Sequence, residues 1–159
     1  MALEETVRAV LPNAGALRIK WPNDLLLDGA KLSGILLERV GEWVVIGFGV
    51  NVTYHPDLAD RATTSLRAAG ATIDAAALQG ELAATLAQWH ARWQAEGLGP
   101  VTERWRERAH SPGTELRARL PDGSEWHGRY ETLDPGGALV LRLADGSARV
   151  MHAGDIFLL

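Results

Sequence analysis

The chain has 159 residues, 47% of them hydrophobic and 23% charged, with a formal net charge of −4 and no cysteine. This is the composition of a folded globular protein, not of a disordered one, and its acidic balance argues against nucleic-acid binding by bulk electrostatics. The missing cysteines exclude disulfides, thiolate nucleophiles and Cys-based zinc sites. No apolar run approaches the roughly 18 residues of a membrane span and the start carries no secretory pattern, so a cytoplasmic protein with no membrane partner is expected.

Leu3, Val7 and Val10 fall at helical spacing with Glu4 and Glu5 in the first turn, predicting a short amphipathic helix over 2–10 that Pro12, Asn13 and Gly15 end. A short strand over 17–20 is broken by Pro22, which has no N–H to give a ladder. Leu25 to Leu27 reads as a second strand, Asp28-Gly29 as a tight hairpin turn, and Lys31 to Val40 as the returning strand. Gly41-Glu42 then turns the chain into 43–52, which is almost continuously apolar. The result is an antiparallel meander whose last strand, apolar on both faces, is expected to be central and covered on both sides.

Residues 54–70 read as loop. Asp74 is placed to cap a helix, because its side chain can accept from the free amides of a first turn. Behind it Leu78, Leu82, Leu86, Trp89 and Trp93 fall on one stripe that ends near Gly97 and Gly99. Pro100 opens another short helix with Val101 and Trp105 on one face. Its Arg104, Arg106 and Arg108 are balanced by Glu103 and Glu107, which makes a solvated face and not a nucleic-acid patch.

At Ser111-Pro112-Gly113 the character changes to short strands between Gly-rich turns: 116–120, 126–133, 138–143, 148–152 and 156–159. Strands at this spacing predict a small SH3-like β-barrel. The fold class expected is therefore α+β, a mixed or antiparallel sheet with helices over 1–110 followed by the barrel over 111–159.

Few residues could carry chemistry. Lys31 sits just past a hairpin turn at the head of an apolar strand. It either snorkels to solvent from the sheet end or holds a positive charge over a cleft for a carboxylate or phosphate. Asn23 and Asp24 at the strand break are turn formers or site residues. Gly47 and Gly49 flank Phe48 inside a strand, where glycine costs stability unless a ligand or another backbone comes close. Asn51 offers a paired donor and acceptor suited to a base edge, or a structural amide. The histidines at 55, 90, 110, 127 and 152 have no metal-ligand spacing, and neither Ser33 nor Ser65 has a base nearby in sequence.

In combination these residues resemble a known family. Lys20-Trp21-Pro22-Asn23-Asp24, then Asp28-Gly29-Ala30-Lys31-Leu32-Ser33-Gly34-Ile35-Leu36-Leu37-Glu38, then Ile46-Gly47-Phe48-Gly49-Val50-Asn51-Val52 resemble the biotin protein ligases in order and spacing. The likeness continues through Ala62 to Leu66, Glu96-Gly97-Leu98 and the SH3-like tail. It implies the fold shared by biotin ligases and class II aminoacyl-tRNA synthetases, with 1–110 the C-terminal part of the catalytic domain and 111–159 the C-terminal domain. It also implies a two-step reaction using biotin, ATP and Mg2+: biotinyl-5′-AMP forms, and a lysine of a biotin carboxyl carrier domain then takes the biotinyl group.

By the same resemblance Lys31 contacts the biotin carbonyl and the adenylate phosphate, and Asp24 lies at the anhydride to hold the incoming lysine. Asn23 and Asn51 line the adenine and phosphate end, Gly47 and Gly49 let the nucleotide lie on the strand, and Gly34 and Ile35 stand beside biotin. Lys31→Ala is expected to abolish adenylate formation with the thermal midpoint nearly unchanged. Homodimerisation is a further expectation. The family's Gly-Arg-Gly-Arg-x-Gly-Arg loop and a DNA-binding helix-turn-helix do not occur in these residues. The alternatives to a ligase are thus a non-catalytic fragment or subunit for nucleotide or carrier-protein interaction, or one half of a split ligase, without DNA as a partner.

Overall fold

A computed structural model describes residues Met1–Leu159. They form two compact units, the first of Met1–Ile19 with Asn23–Ala91 and the second of Lys20–Pro22 with Arg92–Leu159. No helix is long and apolar enough to cross a membrane.

The first unit opens with helix α1 (Ala2–Val10), which buries Leu3 and Val7. Glu4 is buried on the same helix, and the Arg8 guanidinium reaches its Oε1 at 2.6 Å, one helical turn away. Strands β1 (Leu17–Lys20), β2 (Asp24–Leu27), β3 (Ala30–Val40) and β4 (Trp43–Val50) form a four-stranded sheet in that order. The turn between β2 and β3 places Asp28 at φ 50° and Gly29 at φ 77°. Two successive positive φ values match the twist of the flanking strands, which is why Asp-Gly is favoured there. Leu17, Leu25, Leu26, Leu27, Leu32 and Leu66 are buried around this end of the sheet, each contributing about 1.5–3 kcal/mol of apolar burial.

Asp74 caps helix α2 (Ala75–Glu96), its Oδ1 accepting from the Ala77 N–H at 2.8 Å. The expected stripe is only half used. Leu78 and Leu82 are buried, but Trp93 is 49% exposed. Trp89 Nε1–H instead donates to Glu5 Oε2 at 2.8 Å, which ties α2 to α1.

Strand β4 departs most from expectation. It is the edge of the sheet, not its centre, and its outer half with that of β3 is exposed from Leu36 to Ile46, Trp43 at 79%. A pattern apolar on both faces calls for cover on both faces, and no element of this chain supplies it.

The second unit contains helix α3 (Gly99–Arg108) and strands β5 (Glu115–Arg119), β6 (Glu125–Leu133), β7 (Leu139–Arg142), β8 (Ala148–Met151) and β9 (Asp155–Leu158). The sheet order is β8-β7-β6-β5-β9, antiparallel throughout, with no ladder joining β8 to β9. The five strands therefore have the expected SH3-like succession without a closed ring of hydrogen bonds. Inward Leu116 and Ala118 alternate with outward Arg117 and Arg119, and the core gathers Tyr130, Leu133, Leu139, Leu141, Met151 and Ile156. Trp21 belongs to the same core and donates from Nε1 to the Gly137 carbonyl at 3.2 Å. The Trp21–Pro22 peptide is cis.

Candidate functional site

The site is built on the β2–β3 hairpin and the inner half of β4. Asp24 lies opposite Gly34, and Leu26 lies opposite Lys31, with a register irregularity between. In a regular strand residues 31 and 34 point to opposite faces, because side chains alternate. One extra residue at Leu32 removes that alternation, so Asp24, Lys31 and Gly34 share one face. Lys31 Nζ sits 2.6 Å from Asp24 Oδ1; the aspartate side chain is 8% exposed and the lysine 29%. The lysine therefore keeps one side toward water while its partner is almost enclosed.

Gly34 makes room for that pair. A Cβ on it would come 3.3 Å from Lys31 Nζ and 3.4 Å from Asp24 Oδ1. The Lys31 backbone is held as well: its N–H donates to the Ala62 carbonyl at 2.8 Å, and its carbonyl accepts from the Thr64 N–H at 3.0 Å. Asn23 Nδ2 donates to the Ile35 carbonyl at 2.7 Å, and the Ile35 N–H donates back to the Asn23 carbonyl at 2.9 Å. Ser33, buried, donates its hydroxyl to the Gly49 carbonyl at 2.6 Å.

Asn23, Asp24, Lys31, Gly34, Ile35, Gly47 and Gly49 together line one open cleft of about 440 Å3, with Leu36 and Phe48 beside them. Gly47 and Gly49 have ordinary backbone angles, and an added Cβ would meet nothing closer than Leu36 O at 3.7 Å or Gly34 O at 3.6 Å. Nothing within the chain demands glycine there. The two positions leave a bare strip of backbone facing the cleft.

Asn51 is not part of that lining. Its Nδ2 donates to the Thr64 carbonyl at 2.9 Å and the Lys31 carbonyl at 3.4 Å. It acts as a brace that joins the loop after β4 to the strand carrying Lys31.

The loop expected over 54–70 makes contacts that its sequence did not announce. Residues 55 and 57–63 line a second hollow of about 730 Å3, reaching Lys31 through the Thr63 bridge. The Arg61 guanidinium bonded to Asp60 holds that carboxyl below its ordinary value, and Lys31 adds a weaker pull in the same direction. His55 Nδ1 lies 3.3 Å from Ser65 Oγ, although ten residues separate them. Ser65 is 1% exposed and accepts from the Ala68 N–H, so the contact fixes a turn and does not present a nucleophile. The signal available in sequence was Thr63-Thr64-Ser65, a run able to bond neighbouring backbone.

A half-exposed ammonium beside a bare backbone strip suits an anion, a carboxylate or a phosphate. The enclosed carboxylate next to it can accept from an incoming ammonium. No three His, Asp or Glu side chains converge into a metal-holding group.

Residues 1–107 match the biotin/lipoate A/B protein ligase family, and residues 113–159 match the biotin protein ligase C-terminal domain. The chain belongs to the biotin/lipoate protein ligase family. A biotin--[acetyl-CoA-carboxylase] ligase of Paracoccus denitrificans is 35% identical over 168 residues, covering 99% of this chain and 69% of that protein. The bifunctional ligase/repressor BirA of Bacillus subtilis is 33% identical over 145 residues, covering 85% of this chain and 44% of its own length. The fold matches the apo biotin protein ligase of Aquifex aeolicus with a TM-score of 0.87 at 15% identity, over 99% of this chain and 72% of that one. The same ligase in complex with biotin and ATP gives 0.84 at 17% identity, over 99% and 67%. At such identities the structural likeness speaks for the fold alone. This member of the ligase family thus spans between about half and seven-tenths of the relatives that it matches.

Proposed function

We propose that the chain provides one wall of a site that activates biotin with ATP and passes it to a lysine of a biotin carboxyl carrier domain. One observation carries this reading: the Lys31–Asp24 pair stands at 2.6 Å over a glycine-floored cleft. In the first step the biotin carboxylate oxygen bonds to the α-phosphorus of ATP, and the bond to the β-phosphate bridge breaks, giving biotinyl-5′-AMP and pyrophosphate. Lys31 Nζ offsets the negative charge that gathers on the α-phosphate oxygens. In the second step the carrier lysine nitrogen bonds to the acyl carbon, AMP leaves, and the lysine loses a proton.

An unperturbed lysine, with a pKa of about 10.4, is almost wholly charged at neutral pH. Asp24 has the enclosed position to receive its ammonium and orient it. Asn23, Gly34, Ile35, Gly47 and Gly49 form the lining, and Asn51 braces the strand behind Lys31. Asp24 is the one carboxylate lining the cleft, so any magnesium there would be held mainly by the nucleotide's own phosphates. Such an ion would arrive bound to ATP and would supply charge neutralisation at the phosphates, as is usual for Mg2+. In this reading residues 1–110 carry the chemistry, 111–159 form the C-terminal domain, and a cytoplasmic setting fits the need for ATP.

The second reading, one half of a split ligase, is favoured by the exposed β3–β4 hairpin and the share of the relatives left unmatched. Incubation of the chain with biotin, α-labelled ATP and magnesium separates the two. Labelled biotinyl-AMP above a Lys31→Ala control supports the self-sufficient ligase. Absence of both adenylate and nucleotide binding removes it.

A further inference from the structure

We infer that Asp28-Gly29, the turn that brings Asp24 and Lys31 together, is a site of spontaneous covalent modification: the Asp28 side chain closes on the Gly29 nitrogen and reopens as isoaspartate. The chain has three Asp-Gly steps, at Asp28-Gly29, Asp122-Gly123 and Asp145-Gly146. Glycine offers the least shielded nitrogen to a preceding aspartate, so all three could react. Two of them are tied down. In both the Asp122 and the Asp145 turn, one carboxylate oxygen accepts from a serine two residues on, from its N–H at 2.9 Å and its hydroxyl at 2.6 Å. The attacking nitrogen is held as well: the Gly123 N–H donates to the Leu120 carbonyl at 2.9 Å and the Gly146 N–H to the Leu143 carbonyl at 3.0 Å. Those serine bonds keep both carboxyls below their ordinary value, which depletes the protonated form from which water leaves.

At the first turn neither reacting group is held. The exposed Asp28 carboxylate has no hydrogen bond or ion pair, and the Gly29 N–H donates to nothing. Asp28 is also the one non-glycine residue at positive φ, 50°. Left-handed backbone disfavours a residue with a Cβ, and opening of the turn relieves that cost. The Gly29 nitrogen then bonds to Asp28 Cγ, and its proton leaves with the carboxyl hydroxyl as water, giving a five-membered succinimide. Water adds back at either ring carbonyl. Addition at Cγ restores aspartate. Addition at the main-chain carbonyl breaks that carbon's bond to nitrogen, and the chain now runs through Cβ as isoaspartate. Water is the only co-reactant.

The product reaches the cleft through the hairpin. Leu27 and Ala30 are the last pair, so the turn has only two residues, and its two positive φ values are what fit it to the strand twist. A main chain longer by a carbon cannot keep that geometry, and the same register sets Asp24 opposite Gly34 and Leu26 opposite Lys31. Loss of biotin activation as a consequence rests on the reading of the site given above.

The whole chain is warmed at neutral pH for several weeks and mapped with a protease that cuts before aspartate but not before isoaspartate. Isoaspartate is expected to form at Asp28 at least about fivefold faster than at Asp122 or Asp145, the factor set by breaking a single hydrogen bond. An equal or slower rate at Asp28 overturns the inference. Asp28→Asn keeps a residue favoured in this turn and reaches the same ring by loss of ammonia; it should convert faster still, and an intact Asp28→Asn chain also overturns the inference. In the aged fraction the NMR contact across the strands between Asp24 and Gly34 should disappear, and its survival refutes the reach to the cleft. Biotinyl-AMP formation is read on fresh and aged chain alike. Activity that ageing lowers supports both readings, whereas a fresh chain without activity removes the ligase reading and leaves the mapping and NMR results to decide the modification.

Discussion

Lys31→Ala tests the site and the stability of its unit together. The ammonium it removes lies 2.6 Å from a carboxylate that is 8% exposed, while the ammonium itself is 29% exposed. A fully exposed pair contributes about 0–1 kcal/mol, and loss of one member of a fully buried pair costs about 3–5 kcal/mol. Water reaches the lysine but scarcely the aspartate, which puts the loss near 2 kcal/mol. The sequence-based expectation of an unchanged thermal midpoint is therefore replaced by a measurable destabilisation. Urea unfolding at neutral pH gives the loss. A double-mutant cycle with Asp24→Asn isolates the pair, because the second substitution removes the carboxylate that the first leaves uncompensated. The double variant is expected to recover about half of the loss. A loss below about 0.5 kcal/mol, or strict additivity in the cycle, refutes the claim that the pair is partly enclosed. Adenylate formation, where it is measurable, should fall by about 10²–10³-fold.

Gly49→Ala should leave the fold intact or stabilise it by about 0.4–1 kcal/mol, since the backbone angles suit alanine and its Cβ would meet only Gly34 O at 3.6 Å. Its biotin and ATP binding should nonetheless weaken tenfold or more by calorimetry; equal binding would mean that the bare strip serves no ligand. Trp21→Phe is expected to lose about 1 kcal/mol with the bond to Gly137, and Trp21→Ala about 3–5 kcal/mol, both read from unfolding of the second unit. Bonds from Ser124 hold the Asp122 carboxyl below its ordinary value of 3.8. The associated stability is complete above pH 3.8 and is lost as pH falls through the lower folded value. Ser124→Ala should return the Asp122 midpoint toward the ordinary range in an NMR titration, and an unmoved midpoint would count against the bond.

Much of the fold was legible locally. The Asp28-Gly29 turn, the Asp74 cap and the five strands of the tail each depend on a residue type whose backbone preference or side-chain reach is fixed within a few positions. The cleft lining was legible through the joint spacing of three motifs, and the structure brings most of those residues to one face. What went unread depended on distant partners. Trp21 stands in the same motif as Asp24, yet it serves the core of the second unit through Gly137. Asn51 spends its amide on Thr64 and Lys31, and His55 finds Ser65 across a loop.

The sequence by itself determined which residues are charged, which are bare glycine and where the chain turns, because those are properties of single residues and short runs. Only the tertiary structure decided that Lys31 meets Asp24. A strict alternation puts residues 31 and 34 on opposite faces, and the extra residue at Leu32 cancels it through a pairing with β2 that no local pattern announces. The tertiary structure also decided that β4 is an edge. A strand apolar on both faces states that it must be covered, but the covering element is a matter of which surfaces meet, and here the chain leaves it bare.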